Sequence, residues 1–317
     1  MAITLNFGDF FSGRSVIGDT VLELGAKHDN LWVLTPDIGG ALGGYKKEFP
    51  DRFVDVGIAE ANCLGVAAGL ALEGNICIVM GMIPFLSMRA TEQVRTDICY
   101  QNLNVRIIGT GGGLTSGGGS THNAMEDIAI MKSFVNMTVF SISDPLMIRD
   151  ILILSMEHQG PMFMRLAEGK KDRVMYEQDA RSFGIGRGAI AREGKDATIF
   201  CHGEMVGEAY DAAEILKGEG IDVRVADMYC IKPVDEELIK KCVDETGNVL
   251  VLEDHLMYGG LASTISDFFV DNKVVPKTFK RLGIPQVYAG FGSGPEQRKK
   301  YGYDVTAVVD YFKKTLK

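Results

Sequence analysis

This sequence has no short motif that declares a site on its own. It contains no G-x-x-x-x-G-K-[ST], no H-E-x-x-H and no C-x-x-C. A P-loop, a zincin helix and a thiol pair for zinc or redox work are therefore excluded. Six cysteines, Cys63, Cys77, Cys99, Cys201, Cys230 and Cys242, lie scattered in apolar segments and read as reduced core residues. Long apolar runs are missing too. The longest uncharged stretch near the middle, GNICIVMGMIPFLSM, has 15 residues and contains Pro84, too short and too broken to span a bilayer. The start, MAITLNFGDFF, has no basic opening and is interrupted by Asp9, unlike a signal peptide. Basic charge is in deficit, 33 residues against 42 acidic ones, which makes a poor non-specific partner for nucleic acid or an anionic membrane. These absences lead to the expectation of a reduced, cytoplasmic, globular protein.

What the chain does have is alternation. LWVLTPD (31–37), NICIVMG (75–81), NVRIIGT (104–110), MTVFSIS (137–143) and MFMRLA (162–167) read as buried strands. Helical patterns at 15–27, 60–73, 88–101, 123–133 and 145–158 separate them. Buried strands spaced by helices imply a parallel sheet covered on both faces. AEGKKDRVMYEQD is charged and aperiodic, after which the alternation restarts with ATIFCHG, a helix at 205–217, DVRVADM, PVDEELIKKCVDE and NVLVLED. Pro233 suits the first turn of the helix in PVDEELIKK, and Asp235, Glu236 and Glu237 suit its positive end. The expected fold is therefore two doubly wound α/β domains with mainly parallel sheets, at 1–170 and 187–317, joined by a linker at 171–186.

Glycine is concentrated in GTGGGLTSGGGSTH (109–122), where half of the fourteen residues are glycine and the last is one of only five histidines. The loop follows a strand, the usual place for ligands in open α/β sheets. It is not a dinucleotide fingerprint, because Leu114 stands where G-x-G-x-x-G requires its third glycine. Tight loops of this kind also let another backbone approach closely.

A more specific stretch is FPDRFVDVGIAEANCLGVAAGLALEG (49–74), read as a strand, a turn at Gly57 and a helix of small residues with Glu60 near its start. Taken alone, Glu60 equally well complements a helix dipole. With PFLSMRATEQVR (84–95) and a glycine loop ending in THN, however, DVGIAEAN resembles the pyrimidine-binding domain of transketolase. CHGEMVGEA, VADMYCIKPVD, LEDHLMYGGL and FGSGPEQRKKYG resemble the transketolase C-terminal domain in order and spacing. The likeness runs from about Arg14 to the end.

The resemblance implies thiamine diphosphate as cofactor, whose thiazolium C2 carries the hard chemistry. It implies a protein carboxyl against N1′ of the aminopyrimidine, the role matched by Glu60. With few charged neighbours in GIAEANCLG, that carboxyl is expected to resist ionisation. Phe85 matches the aromatic that stacks on the aminopyrimidine, with core packing as its plain alternative, and Asp37 in TPDIGG matches a position near the cofactor, with capping of the loop as its plain alternative. Arg89, within PFLSMR, joins this cofactor-binding set. His122 matches the histidine that hydrogen-bonds the donor ketose near its reacting carbon; its bland alternative is to cap the helix 123–133. Arg14 matches the arginine that holds the sugar phosphate. His255, in LEDH, is similar to a C-terminal-domain position and is expected to be structural or at the domain contact rather than catalytic.

Three departures concern the substrate. Ala41 stands at the family's serine position, Gly111 at its early-loop histidine and Glu168 at its late arginine, while glycines at 117–119 replace a Glu-Asp pair. The room around Gly111 and a carboxylate near a phosphate suggest two-carbon transfer on a non-standard sugar. The chain also lacks Gly-Asp-Gly, the segment from which a transketolase draws metal ligands, and no residue here is read as a metal ligand. This implies the C-terminal subunit of a split transketolase. An N-terminal subunit would carry the diphosphate-binding domain and the Mg²⁺ or Ca²⁺ ligands, in an α₂β₂ assembly. Competing expectations are the β subunit of a 2-oxoacid dehydrogenase, a deoxyxylulose-phosphate synthase and a non-catalytic subunit. The order PFLSMRATEQVR…THN favours transketolase, and Glu60 with Phe85 argues against a subunit without chemistry.

Overall fold

The computed structural model describes residues 5–115, 119–168, 170–177 and 183–317. Two sheets organise the chain. The first runs, edge to edge, Cys230–Lys232, Thr138–Ser141, Met162–Arg165, Val105–Thr110, Ile76–Met82, Leu31–Thr35 and Phe53–Asp55. All neighbours are parallel except the Cys230–Lys232 edge. The second runs Thr278–Ile284, Asn248–Leu256, Ala197–Cys201, Val223–Asp227 and Ala189–Arg192, parallel except for the last strand. Side chains on the central strands are buried on both faces, which is why these segments read as continuous apolar runs rather than alternating ones. All six cysteines are buried and free. Burial pushes the Cys63 and Cys77 thiols up to about 12, as inert core residues require.

The expected strands form, but three expected helices differ for local reasons. The 88–101 pattern becomes two π-helical segments, Phe85–Arg89 and Gln93–Cys99, closed by wide-turn bonds such as Ala90 N–H to the Phe85 carbonyl at 3.2 Å. The 123–133 helix begins only at Asp127, because Gly113 and Ala124 exchange backbone hydrogen bonds of 2.7 and 3.1 Å that hold the chain extended. Pro233 is not in a first turn. Asp235 caps the helix Glu236–Thr246 by accepting from Leu238 N–H at 2.9 Å, which leaves Pro233 ahead of the cap.

The two halves interlock. Cys230–Lys232, from the second half of the chain, pairs antiparallel with Thr138–Ser141, and the Lys232 ammonium donates to the carbonyls of Lys132 and Phe134. One apolar cluster contains Leu64 and Ile128 together with Leu261 and Ile265. The segment after 170 turns back: Asp172–Arg173 pairs with Phe10–Phe11. Met175 and Tyr176 donate their backbone N–H groups to the Asp144 carboxylate, whose other oxygen caps the helix Pro145–Ser155. Residues 178–182 of the expected linker lie outside the described residues. Arg106, fully buried on its strand, donates to the carbonyls of Ser155, His158 and Gly160. A buried cation is tolerated there because a helix C-terminus supplies acceptors. Among the described residues no helix is long and apolar enough to cross a membrane.

Candidate active site

The strand Phe53–Asp55 ends in a turn at Gly57, whose φ of 68° is in the left-handed region. The Asp55 carboxylate ties that turn by accepting from Gly57 N–H at 3.0 Å and from Asp37 N–H at 3.2 Å. The helix Glu60–Leu72 follows, so Glu60 stands at its positive end. Besides Glu60, the buried face is formed by Cys63, Leu64, Ala67, Ala68 and Ala71, and the small cysteine and alanine side chains let the helix lie close to the sheet.

Glu60 is 3% exposed. The local sequence offers it no charged neighbour, but the fold supplies one: Arg89 Nη1 donates to Glu60 Oε2 at 2.7 Å. The wide π-helical turn presents Phe85 and Arg89 together, with the Arg89 guanidinium carbon 4.4 Å from the Phe85 ring centre. The His122 ring also meets Phe85 edge-on, 5.1 Å between centres at 81°. His122 Nδ1 shares a 3.0 Å hydrogen bond with the Thr121 hydroxyl. Four of the expected residues, Glu60, Phe85, Arg89 and His122, are thus joined in one chain of contacts. His122 does not cap the following helix, which starts five residues later.

Asp37 stands apart. It is exposed with φ 65°, and among the described residues no hydrogen bond or ion pair joins it to those four. Asp55, not Asp37, does the capping at this loop. Its signal in the sequence was the D-V-G step between strand and helix.

Arg14, Gly111 and Glu168 gather at the carboxyl ends of two neighbouring strands. Arg14 Nε donates to the Glu168 carbonyl at 2.7 Å and Nη2 to the Thr110 hydroxyl at 3.1 Å. Gly111, with φ 88°, donates to the Ala167 carbonyl at 2.7 Å. The Glu168 carboxylate lies 3.4 Å from Lys170 Nζ. Beside it a cleft of about 210 Å³ is lined by Thr115, Lys170, Lys171, Gly294 and Arg298. Asp172 accepts from Gly13 N–H at 3.0 Å, and burial pushes its carboxyl up to about 6. Ala41 sits in the turn Gly39–Leu42, packed so tightly on the helix Gly13–Lys27 that a Cβ on Gly18 would lie 2.1 Å from its carbonyl oxygen.

The glycine loop receives the second domain. A Cβ on Gly112 would lie 2.7 Å from the Arg165 guanidinium carbon, one on Gly113 2.0 Å from Asp254 Oδ2, and one on Gly119 2.3 Å from the Phe291 ring. Asp254 accepts from Leu114 N–H at 3.2 Å and from the Tyr303 hydroxyl at 2.9 Å. Buried Arg165 bridges the domains, donating to Asp127 at 2.8 Å and to the Asp254 carbonyl at 2.7 Å. Room for a substrate is therefore not the whole reason for these glycines: at Gly112 and Gly113 the buried side chains of Arg165 and Asp254 occupy the place of a Cβ, while at Gly119 the neighbour is the exposed Phe291 ring, which is free to turn aside. Glycines 117 and 118 lie outside the described residues. His255 is at the domain contact, where Nε2 accepts from Ala129 N–H at 3.4 Å and Nδ1 meets the Leu256 carbonyl at 2.8 Å. Burial lowers its basicity, which suits a neutral ring with one donor and one acceptor. Sequence reading missed the Asp127–Arg165–Asp254 bridge, since nothing local marks contacts between residues so far apart.

The sequence profile for the transketolase pyrimidine binding domain matches residues 11–171, and that for the transketolase C-terminal domain matches residues 165–308. A protein of Methanocaldococcus jannaschii described as a putative transketolase C-terminal section is 37% identical, over 96% of each chain. One subunit of the apulose-4-phosphate transketolase of Phocaeicola vulgatus is 35% identical, over 92% of this chain and 93% of its own. Among solved structures, a split gene transketolase described as an inactive beta4 tetramer superposes with a TM-score of 0.85 at 34% identity, covering 96% of this chain and 98% of that one.

Proposed function

This chain belongs to the transketolase family, spanning its pyrimidine-binding and C-terminal domains, and on that premise we propose that it is the carboxylate-bearing half of a split, thiamine-diphosphate-dependent transketolase. The observation that carries the reading is the joined set of Glu60, Phe85, Arg89 and His122. These residues fit the cofactor's aminopyrimidine: a buried carboxylate at a helix N-terminus offers one hydrogen-bonding edge, and Phe85 offers a flat apolar face. When bound, thiamine diphosphate would supply the carbon nucleophile for two-carbon ketol transfer. Glu60 holds the proton at the ring nitrogen N1′, and Phe85 fixes the ring plane. His122, on the glycine loop, hydrogen-bonds the donor sugar next to its reacting carbon. Arg14, between Thr110 and Glu168, is the cation for the sugar's anionic end. Asp37 flanks the cofactor from the exposed loop after Thr35.

The diphosphate and its Mg²⁺ or Ca²⁺ are held by a partner subunit that carries a Gly-Asp-Gly segment, in an α₂β₂ assembly in the cytoplasm. Relatives of matching length, one described as a C-terminal section and one as a single subunit of its transketolase, support that division. Residues 1–170, 171–186 and 187–317 are its two domains and their linker. Gly111, Ala41 and Glu168, which replace three polar sugar contacts, favour a sugar other than the ordinary ketose phosphates.

The test is reconstitution. The chain mixed with such a partner, Mg²⁺ and thiamine diphosphate should transfer two-carbon units between sugars, and the chain alone should not. Glu60→Gln should abolish turnover while the melting curve stays that of a folded protein. Turnover by the chain alone would refute the split reading, and near-normal activity of Glu60→Gln would refute the carboxylate's role.

A further inference from the structure

We propose that Arg89 is a placeholder for the cofactor's aminopyrimidine, so that the cofactor enters by displacing its guanidinium from Glu60 and Phe85. The inference rests on the thiamine reading above and deepens it, and it revises one expectation: Arg89 holds the cofactor's place rather than joining the residues that bind it. A guanidinium is planar and delocalised, donates in its own plane to a carboxylate and stacks on an aromatic face. Arg89 does both at once: 2.7 Å to Glu60 Oε2 and 4.4 Å from its own carbon to the Phe85 ring centre. These are the two contacts that the reading asks of the aminopyrimidine, a hydrogen bond to Glu60 and a stack on Phe85. An aminopyrimidine that takes the same Glu60 oxygen and the same face of Phe85 has to move the guanidinium aside.

The arrangement has a physical reason. A buried carboxylate without a partner is costly, and Glu60 is 3% exposed. Arg89 meets that need from the solvent side, since its own side chain is 49% exposed. A lysine would satisfy the charge but not the stack. The long, half-exposed side chain can leave without unpacking the core, because its neighbours Leu86 and Ala90, not Arg89, fill the interior. A half-exposed ion pair with a cation–π contact is a modest restraint. It slows and weakens cofactor binding without closing the site.

The experiment uses the chain reconstituted with its Gly-Asp-Gly partner and Mg²⁺. Thiamine diphosphate is titrated by calorimetry, and its association is followed by stopped-flow fluorescence, for the unaltered pair, Arg89→Met and Arg89→Lys. Arg89→Met should bind roughly three- to thirtyfold more tightly, with most of the gain in the association rate, and Arg89→Lys should fall between. Unchanged or weaker binding by Arg89→Met, with the unaltered pair binding normally, overturns the placeholder alone. Failure of the unaltered pair to bind thiamine diphosphate overturns the thiamine reading and the placeholder with it.

Discussion

Gly113→Ala probes the domain contact at its tightest point. Gly113 has φ 72°, and a Cβ built there lies 2.0 Å from Asp254 Oδ2 and 2.2 Å from its Cγ. Two costs add. An alanine held in the left-handed region loses about 1–2 kcal/mol. The Asp254 carboxylate must also retreat by more than a bond length, which strains its hydrogen bonds from Leu114 N–H and the Tyr303 hydroxyl. Bonds to such a group are worth about 1.5–3 kcal/mol each. The sum is about 4–8 kcal/mol, a large share of the roughly 5–15 kcal/mol that holds a folded protein together. At about 2 °C per kcal/mol for a chain of this size, the melting temperature by circular dichroism should fall by about 8 °C or more. Gly218→Ala is the control. It ends the helix Met205–Gly218, and its Cβ would meet nothing within 4 Å, so the change should be within about 1 kcal/mol of neutral. If Gly113→Ala melts within about 2 °C of the unaltered protein, the glycine is not required by the domain contact and the explanation of the loop fails.

Asp227 gives a pH test. Its carboxyl is fully buried and accepts from the Ser143 hydroxyl at 2.5 Å and from Tyr176 at 2.8 Å; burial outweighs both bonds and pushes it from 3.8 up to about 7. With the folded value above the unfolded one, its contribution is fully present below about pH 4 and lost as pH rises toward 7. Asp227→Asn removes that loss, up to about 4 kcal/mol; urea melts in which the difference between the two proteins is the same at pH 5 and pH 8 would rule this out. Arg14→Met should lower kcat/KM for an anionic sugar about 10- to 150-fold, mainly through KM, as expected for one lost charge-assisted hydrogen bond. An unchanged KM in the reconstituted enzyme would show that Arg14 serves only the strand ends it bridges.

Much of the fold was legible because burial imprints itself locally. LWVLT, ICIVMGM and VRIIGT are buried on both faces, and continuous apolar runs of that length with helices between them have few other homes. Glu60 stood out for a different reason: its neighbours GIAEAN and PFLSMR resemble a family whose chemistry asks for a carboxyl there, and the fold places it buried at a helix start. Where local rules competed, they failed. PVDEELIKK put Pro233 in the first turn by propensity, but the Asp235 side chain could cap Leu238 N–H, and the cap won. The π-helical turns at Phe85–Arg89 and Gln93–Cys99 leave no periodicity distinct from an ordinary helix.

Local pattern and family motif were enough to establish two α/β halves, a carboxylate at a helix start and a histidine closing a glycine loop. Each depends on residues within a few turns of one another or on motifs read in order. The reason for the glycines, the partner of Glu60 and the Cys230–Lys232 strand that stitches the halves together came from three dimensions. Arg89 is 29 residues from Glu60, and Asp254 is 140 residues from Leu114. No period, propensity or spacing encodes a contact across such distances. The first contact exists because the sheet sets the helix from Glu60 beside the turn that carries Arg89, and the second because the other sheet brings Asp254 against the glycine loop at the place where a methyl group on Gly113 would stand.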